Sequence, residues 1–248
     1  MMTAAPALDI PPIGRRESFA ITQVAIARLL DVLRDLSPED WTRPTACPAW
    51  DVRQVVLHQI ASSVMMMSPP EGVRQMRAGK KLEKSVGLAK FDAVMQVGAA
   101  GLEHLTAEQA LDEVARVLPK YARHRKRFPQ PLRSLVRMNG PFGAFSMGYL
   151  YDRVINRDHF MHRLDICDAT GRLPVVTADH DGRIVADVVG DWARSHGQPF
   201  DLVLTGPAGG AWSVGTGGQR IDMDALEFAR VLSGRGTGEG LLAAQVLF

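Results

Sequence analysis

Apolar residues recur at helical spacing through the first two thirds of the chain. Over residues 15–36 they return every three or four positions, which predicts a long amphipathic helix. Residues 51–67 are apolar almost all round, and a helix of that kind belongs inside a bundle. Further helices are predicted in three later segments, at about 91–127, 147–170 and 178–196.

Capping residues mark where several of these helices begin and end. Thr106 and Gln109 have the spacing of a capping box, and Ser146 precedes the helix predicted at 147. Gly171 and Gly197 stand where helices ending just before them would need a left-handed residue. Between the helices, residues 69–90 predict a polar, exposed excursion and residues 129–145 predict a loop.

The pattern changes after Gly197. Short β-type runs separated by glycine pairs predict hairpins, DALEFARVLSG predicts one helix, and LLAAQVLF predicts a closing strand. The prediction is therefore a mainly α protein, a helical bundle followed by a small α/β domain. Its boundaries are a disordered leader at 1–14, a helical bundle at 15–197 and an α/β domain at 198–248.

Composition excludes several classes of protein. The 248 residues carry 29 Lys and Arg against 27 Asp and Glu, so the net charge favours neither nucleic acid nor an anionic membrane as partner. The basic stretch KYARHRKRF (120–128) is interpreted as a solvated helix end. No apolar run of about 18 residues is present to span a bilayer. The start lacks a secretory pattern, and Cys47 and Cys167 lack Cys-x-x-Cys spacing, so we expect a reducing, cytoplasmic location.

The segment INRDHFMHRLDICDATG (155–171) places three aspartates and two histidines between apolar side chains of a predicted buried helix, namely Asp158, His159, His162, Asp165 and Asp168. Burying an unpaired ionisable group costs several kcal/mol, so these groups need a reason to be there. Residues four apart share one helix face, so Asp158 and His162 are directed to the same point, and Asp165 continues that stripe. His159 is rotated by about 100° and faces elsewhere.

The helix at 51–67 contributes a lone histidine, His58. If the two helices face each other, His58, Asp158 and His162 form a set of two imidazoles and one carboxylate with a fourth position open, as in catalytic zinc sites. The same set also suits iron, manganese or nickel. Asp165 would then orient an imidazole by a hydrogen bond to the ring nitrogen that does not bind the metal. The alternative is a hydrogen-bonded polar pair, with His58 a satisfied core histidine.

Two motifs resemble a known family. WTRPTACPAWDVRQVVLH (41–58) and RDHFMHRLDICDATGR (157–172) are similar to the mycothiol-dependent maleylpyruvate isomerase family of actinobacteria, within the DinB-like superfamily. The SGR at 233–235 matches a Gly-Arg near the family's C-terminus. Characterised isomerases of the family carry Glu where this chain has Asp158. The matching residues of the two motifs are Trp41, Pro44, Thr45, Cys47, Pro48, Trp50, His58, Asp158, His162, Arg163 and Asp165.

The resemblance implies a DinB-like four-helix bundle that holds a divalent metal, usually zinc, through His58, Asp158 and His162. It implies mycothiol as thiol cosubstrate and a small unsaturated or electrophilic acid as substrate. In the family's chemistry the thiolate adds to a conjugated double bond, rotation follows, and elimination gives the other geometric isomer. Attack without elimination would be an S-transfer.

Roles for three further residues follow. We expect Arg235 to bind the substrate carboxylate across the domain junction, Asp165 to orient an imidazole, and Arg163 to bind the cosubstrate. Arg235 could instead interact with the last carbonyls of its helix, and Arg163 could pair with a neighbouring Asp. Cys47 and Trp50 are predicted to be structural.

Two other functions remain open at this point. One is a non-catalytic DinB-like protein that binds a metal or a ligand. The other, a nucleic-acid-binding module, depends on the basic stretch at 120–128 alone. The sequence leaves the oligomeric state open between monomer and dimer.

Overall fold

The computed structural model describes residues 4–48, 50–87 and 90–248. Contacts between Cα atoms divide the chain into two compact units. The bundle unit consists of Thr22–Leu132 and His162–Leu173, and the sheet unit consists of the described residues up to Ile21, Arg133–Met161 and Pro174–Phe248. The units interleave along the chain, whereas the sequence pattern predicts consecutive domains with a boundary at 197.

Helices make up most of the bundle unit. The helix α2 contacts α3, α4 and α5, and every residue from Val55 to Ala61 on it is buried, as its apolar sequence predicts. Thr106 caps α5 by accepting a hydrogen bond from the backbone N–H of Gln109, so the predicted capping box is confirmed. The elements of this unit are α1 (Arg15–Arg34, from Thr22 onward), a 3-10 turn (Pro38–Thr42), α2 (Val52–Met67), α3 (Pro69–Val86), α4 (Lys90–Ala100) and α5 (Ala107–Arg127).

The excursion predicted at 69–90 has many exposed residues, as expected, but it forms the helix α3 over Pro69–Val86 and is not an irregular connection; residues 88 and 89 lie outside the described residues. Pro69 begins the helix at a position where its missing N–H costs nothing, and Gly87 ends it with a φ of 72°. Gly79 lies so close to α4 that a Cβ there would come within 2.5 Å of Val94 Cγ2. The glycine that suggested a loop is therefore a packing residue between two helices.

The sheet unit contains a four-stranded sheet in the order β1-β5-β4-β6. β4 pairs antiparallel with β5 and parallel with β6, and β1 pairs parallel with β5. A helix, α10, follows β6 and contacts β4 and β6, which confirms the small α/β part near the C-terminus. The elements are β1 (Ala5–Pro6), β4 (Phe200–Thr205), β5 (Gly210–Val214), β6 (Gln219–Asp224) and α10 (Ala225–Leu232).

Two terminal predictions differ from the structure. The leader predicted to be disordered supplies β1 and a 3-10 turn (Ala7–Asp9), and Ile10 and Ile13 after them are buried. These apolar side chains give the segment a reason to order. The closing strand predicted in LLAAQVLF is a 3-10 turn (Gly240–Ala243), followed in the described chain by extended residues outside the sheet.

The loop predicted at 129–145 is also structured. It forms a short helix, α6 (Gln130–Leu135), and an antiparallel hairpin of β2 (Arg137–Gly140) and β3 (Gly143–Ser146). Gly143 has a φ of 111°, so the turn requires the conformational freedom of glycine.

A continuous helical run follows the hairpin. Ser146 caps it by accepting from the backbone N–H of Tyr149, and Gly171 ends it with a φ of 66°, as predicted. The run passes from the sheet unit into the bundle unit between Met161 and His162. Its segments are α7 (Met147–Tyr149), a π-helical stretch (Leu150–Val154) and α8 (Ile155–Thr170), and a second π-helical stretch (Ala178–Gly182) leads into α9 (Arg183–His196).

An ionic network inside the sheet unit holds the start of α8. The Asp187 carboxylate, on α9, accepts hydrogen bonds from Arg153 and Arg157, with Arg157 Nη2 at 2.6 Å. The backbone N–H of Ile13 donates to the same carboxylate at 3.0 Å. A buried carboxylate or guanidinium group needs partners of this kind, because removal of one partner leaves an uncompensated charge inside the protein. Among the described residues, no helix is long and apolar enough to cross a membrane.

Candidate metal centre

The five ionisable groups of the segment 155–171 occupy different environments. Asp168 is exposed and Asp158 is partly exposed, whereas His159, His162 and Asp165 are buried. Only the buried groups therefore need partners inside the protein.

Three of the predicted site residues come together. His58, Asp158 and His162 each offer one ligand atom, and these atoms lie within 4.8 Å of one another. The His58 and His162 rings have centroids 5.1 Å apart and meet edge to face. His58 comes from the middle of α2, while Asp158 lies one turn before His162 on the continuous helix α8. Two separate helices thus supply the set.

Asp165 contacts the back of one imidazole. Its Oδ2 atom lies 3.0 Å from Nδ1 of His162, three residues earlier on α8. A proton on Nδ1 donated to this carboxylate leaves Nε2 with its lone pair as the ligating nitrogen. The contact favours the tautomer with the proton on Nδ1 and this orientation of the ring.

The three side chains fit a divalent metal by their chemistry. Imidazole nitrogen and carboxylate oxygen bind zinc at about 2.0–2.2 Å, so ligand atoms around one ion lie within about 4.4 Å of each other. The ligand atoms of the three side chains, all within 4.8 Å of one another, are already close to that spacing. Three protein ligands leave one position for a water or a thiol. Iron, manganese and nickel also accept this donor set.

Two residues that the sequence assigned to structure lie at the site. The Trp50 ring stacks on the His58 ring with centroids 4.7 Å apart and an interplanar angle of 33°, and it lies 6.2 Å from the His162 ring. Cys47 Sγ lies 3.6 Å from Oδ2 of Asp165. Both residues belong to the Cys-Pro-x-Trp motif just before the helix that carries His58. This motif was the sequence signal that could have placed them at the site.

The loop that carries these two residues is held by Thr45. Its hydroxyl donates to the Trp50 carbonyl at 2.8 Å and accepts from the backbone N–H of Cys47 at 3.1 Å. Asp51 then caps α2 by accepting from the backbone N–H of Gln54. The Pro-Thr and Cys-Pro-x-Trp residues therefore form one compact entry to α2.

A second set of contacts ties the end of α8 to the same region. Arg172 donates to Asp40 at 2.8 Å and to Asp35 at 3.1 Å. The backbone N–H of Ser37 donates to Asp40, and together with Arg172 it outweighs burial and holds the pKa of Asp40 below its ordinary value. The carboxylate stays ionised and the ion pair persists at neutral pH.

The two predicted arginines have different surroundings. Arg163 follows His162 on α8 and is only 1% exposed. Arg235 belongs to the sheet unit, is half-buried, and its backbone N–H closes the end of α10 on the Arg230 carbonyl. The roles of Arg163 and Arg235 stay predictions.

The sheet unit has a separate open cavity of about 470 Å³. It lies between the β2–β3 hairpin, the end of α9 and the last residues of the chain, with Phe142, Tyr149 and Arg194 among its walls. None of the predicted site residues lines it.

Comparison with known proteins places the chain in a family. Residues 23–167 match the family described as mycothiol maleylpyruvate isomerase N-terminal domain. Two solved structures are similar, a mycothiol-dependent maleylpyruvate isomerase, with a TM-score of 0.57, and a histidine-to-alanine mutant of a protein of that name, with a TM-score of 0.58. Each is 13% identical and covers 95% of this chain and 93% of its own.

At 13% identity these likenesses show the fold. No curated protein matches the chain. The family match spans more than half of the sequence and includes the first motif, 41–58, and residues 157–167 of the second. The chain belongs to the mycothiol maleylpyruvate isomerase N-terminal domain family.

Proposed function

We propose that this protein is a metal- and thiol-dependent enzyme of the maleylpyruvate isomerase type, with mycothiol as cosubstrate. The observation that carries the proposal is the convergence of His58, Asp158 and His162 within 4.8 Å, in a chain of this family. A divalent metal bound there, most readily zinc, would supply a Lewis acid that stabilises a thiolate at neutral pH.

The chain's own residues would prepare that site. Asp165 holds His162 in one orientation through its contact with Nδ1. The Trp50 ring covers one side of His58 and gives the site an apolar wall, which reduces access of water. His58 and His162 are 5% and 4% exposed, so the protein encloses both rings almost completely.

The substrate class is the finer part of the proposal. A small unsaturated or electrophilic acid fits the family's thiol addition chemistry, by isomerisation or by S-transfer. Arg235 is the proposed carboxylate-binding residue, because a guanidinium makes paired hydrogen bonds with a carboxylate. A cytoplasmic location fits the two free cysteines, Cys47 and Cys167.

The first experiment measures the metal content of the untagged protein beside His58→Ala and His162→Ala. We expect about one metal per chain in the wild type and loss of it in both variants, as a single three-ligand site requires. His104→Ala is the matched control, since His104 is an exposed histidine in the same unit. Titration of the cobalt-loaded protein with mycothiol then tests whether a thiol reaches the open position.

Two results would contradict the proposal. If folded wild-type protein takes up no divalent metal, the cluster is a polar core network and the non-catalytic alternative is favoured. If the metal binds but the cobalt absorption spectrum does not change when mycothiol is added, the metal has a structural role only.

A further inference from the structure

A second group of metal-ligand atoms lies on the other nitrogen edge of His162. Cys47 Sγ is 3.6 Å from Asp165 Oδ2, and the same oxygen is 3.0 Å from His162 Nδ1. The ligand atoms of all three residues lie within 4.8 Å of one another. All three residues belong to the bundle unit.

The spacing suits a tetrahedral ion. With zinc distances of about 2.0–2.3 Å, neighbouring ligand atoms around one ion are roughly 3.3–3.7 Å apart. The sulfur-to-oxygen separation of 3.6 Å falls in that range, and the nitrogen-to-oxygen separation of 3.0 Å needs to open slightly. His162 and Asp165 are buried on α8 and rigid, whereas Cys47 is half-buried on the loop and reachable from solvent.

We propose that Cys47, His162 and Asp165 form a second metal site, which takes a thiophilic divalent cation such as Zn²⁺ or Cd²⁺. A thiolate ligand selects for soft metals, which the set with two histidines and one carboxylate does not. The fourth position is left to water. On binding, the Cys47 thiol releases its proton to solvent.

This site goes beyond the proposed function, because it uses a different set of residues and a different nitrogen of the shared histidine. An ion between Nδ1 and Asp165 removes the hydrogen bond that orients His162. Excess thiophilic metal therefore weakens metal binding at the first centre. The Cys47 thiolate is the ligand that makes the second site selective for such metals.

The test uses cobalt(II), whose bond to a thiolate gives an intense charge-transfer band in the near ultraviolet. His58→Ala removes a ligand of the first set and leaves the second complete. His58→Ala protein lacks the metal of the first centre on purification, and we expect it to bind about one added cobalt per chain with this band, as a single site requires. Adding Cys47→Ser to that variant abolishes the band, and adding Cys167→Ala, at the other cysteine, leaves it.

Three outcomes overturn the proposal: folded His58→Ala protein that binds no cobalt, one that binds cobalt without the charge-transfer band, or a band that survives Cys47→Ser. If His58→Ala fails to fold, Asp158→Asn serves as the background, since Asp158 is only partly buried. The first centre is tested separately in the Cys47→Ser single variant, where cobalt binding without a thiolate band supports it and loss of all cobalt binding shows that it has failed.

Discussion

His162 Nδ1 lies 3.0 Å from Asp165 Oδ2, so the carboxylate three residues along α8 sets the tautomer of the central histidine. Replacing Asp165 with Asn keeps an acceptor and removes the charge, and we expect metal affinity to fall roughly 10–100-fold. Asp165→Ala should lose more, since it removes the acceptor as well. Competition with a chelator measures both. Unchanged affinity in Asp165→Ala would exclude the orienting role.

Asp158 has the shortest side chain of the three proposed metal ligands. Asp158→Asn should lower metal affinity by more than the roughly 10–100-fold that loss of an outer partner costs. Asp158→Glu keeps the charge and has the length found in the family, so we expect it to retain the metal. The same chelator competition applies, and wild-type affinity in Asp158→Asn would show that the carboxylate is not a ligand.

The ring of Trp50 stacks on His58 with centroids 4.7 Å apart. A paramagnetic ion bound by His58 should therefore quench the fluorescence of Trp50. We expect cobalt to quench emission of the wild type, Trp50→Phe to lose most of that quenching, and Trp212→Phe, in the sheet unit, to keep it. Full quenching in Trp50→Phe would place the ion away from this indole.

The hydroxyl of Thr45 joins Cys47 to Trp50 through two backbone hydrogen bonds. Thr45→Val keeps the shape and loses both, at a cost of about 1–3 kcal/mol in the free energy of unfolding. Cys47 should then react faster with an alkylating reagent, because the loop opens more often. Thr42→Val, whose exposed hydroxyl contacts only the Glu39 carbonyl among the contacts described, is the control and should change neither quantity by much. An unchanged alkylation rate in Thr45→Val would contradict the role of the hydroxyl.

Asp187 neutralises two buried arginines, Arg153 and Arg157. Burial by itself would raise the pKa of Asp187, but Arg157 and Arg153 outweigh it and the pKa lies below its ordinary value. Asp187→Asn leaves Asp191 as the remaining carboxylate paired with both arginines. The loss of one buried negative charge between two buried cations should destabilise the protein by about 3–5 kcal/mol at neutral pH. Asp179→Asn, at an exposed position, should stay within about 0.5 kcal/mol of the wild type.

The pH dependence has a definite sign. A carboxyl whose pKa is lowered by folding stabilises the folded state above its unfolded pKa of about 3.9, and this stabilisation is lost as the pH falls through the folded pKa. The difference between the wild type and Asp187→Asn should thus be constant near neutrality and shrink below about pH 4. Urea unfolding at a series of pH values measures it, and a difference that does not shrink would mean that Asp187 is not the group responsible.

Local rules in the sequence determined much of the helical part. The apolar run of α2, the capping box at Thr106 and the glycine stop at Gly171 depend on spacing and backbone freedom alone, and all three are as predicted. The same periodicity set Asp158 and His162 on one face of α8. Helix geometry is short-range, so no other part of the chain was needed.

Tertiary structure decided the rest. Gly79 belongs to a helix because α4 approaches it closely, and Ala5 joins a sheet because β5, some two hundred residues later, offers a free edge. The positions of Trp50 and Cys47 against the histidine cluster likewise depend on how a loop folds over a distant helix. Such contacts join residues that are far apart in the sequence. A pattern of neighbouring residues does not contain the information that predicts them.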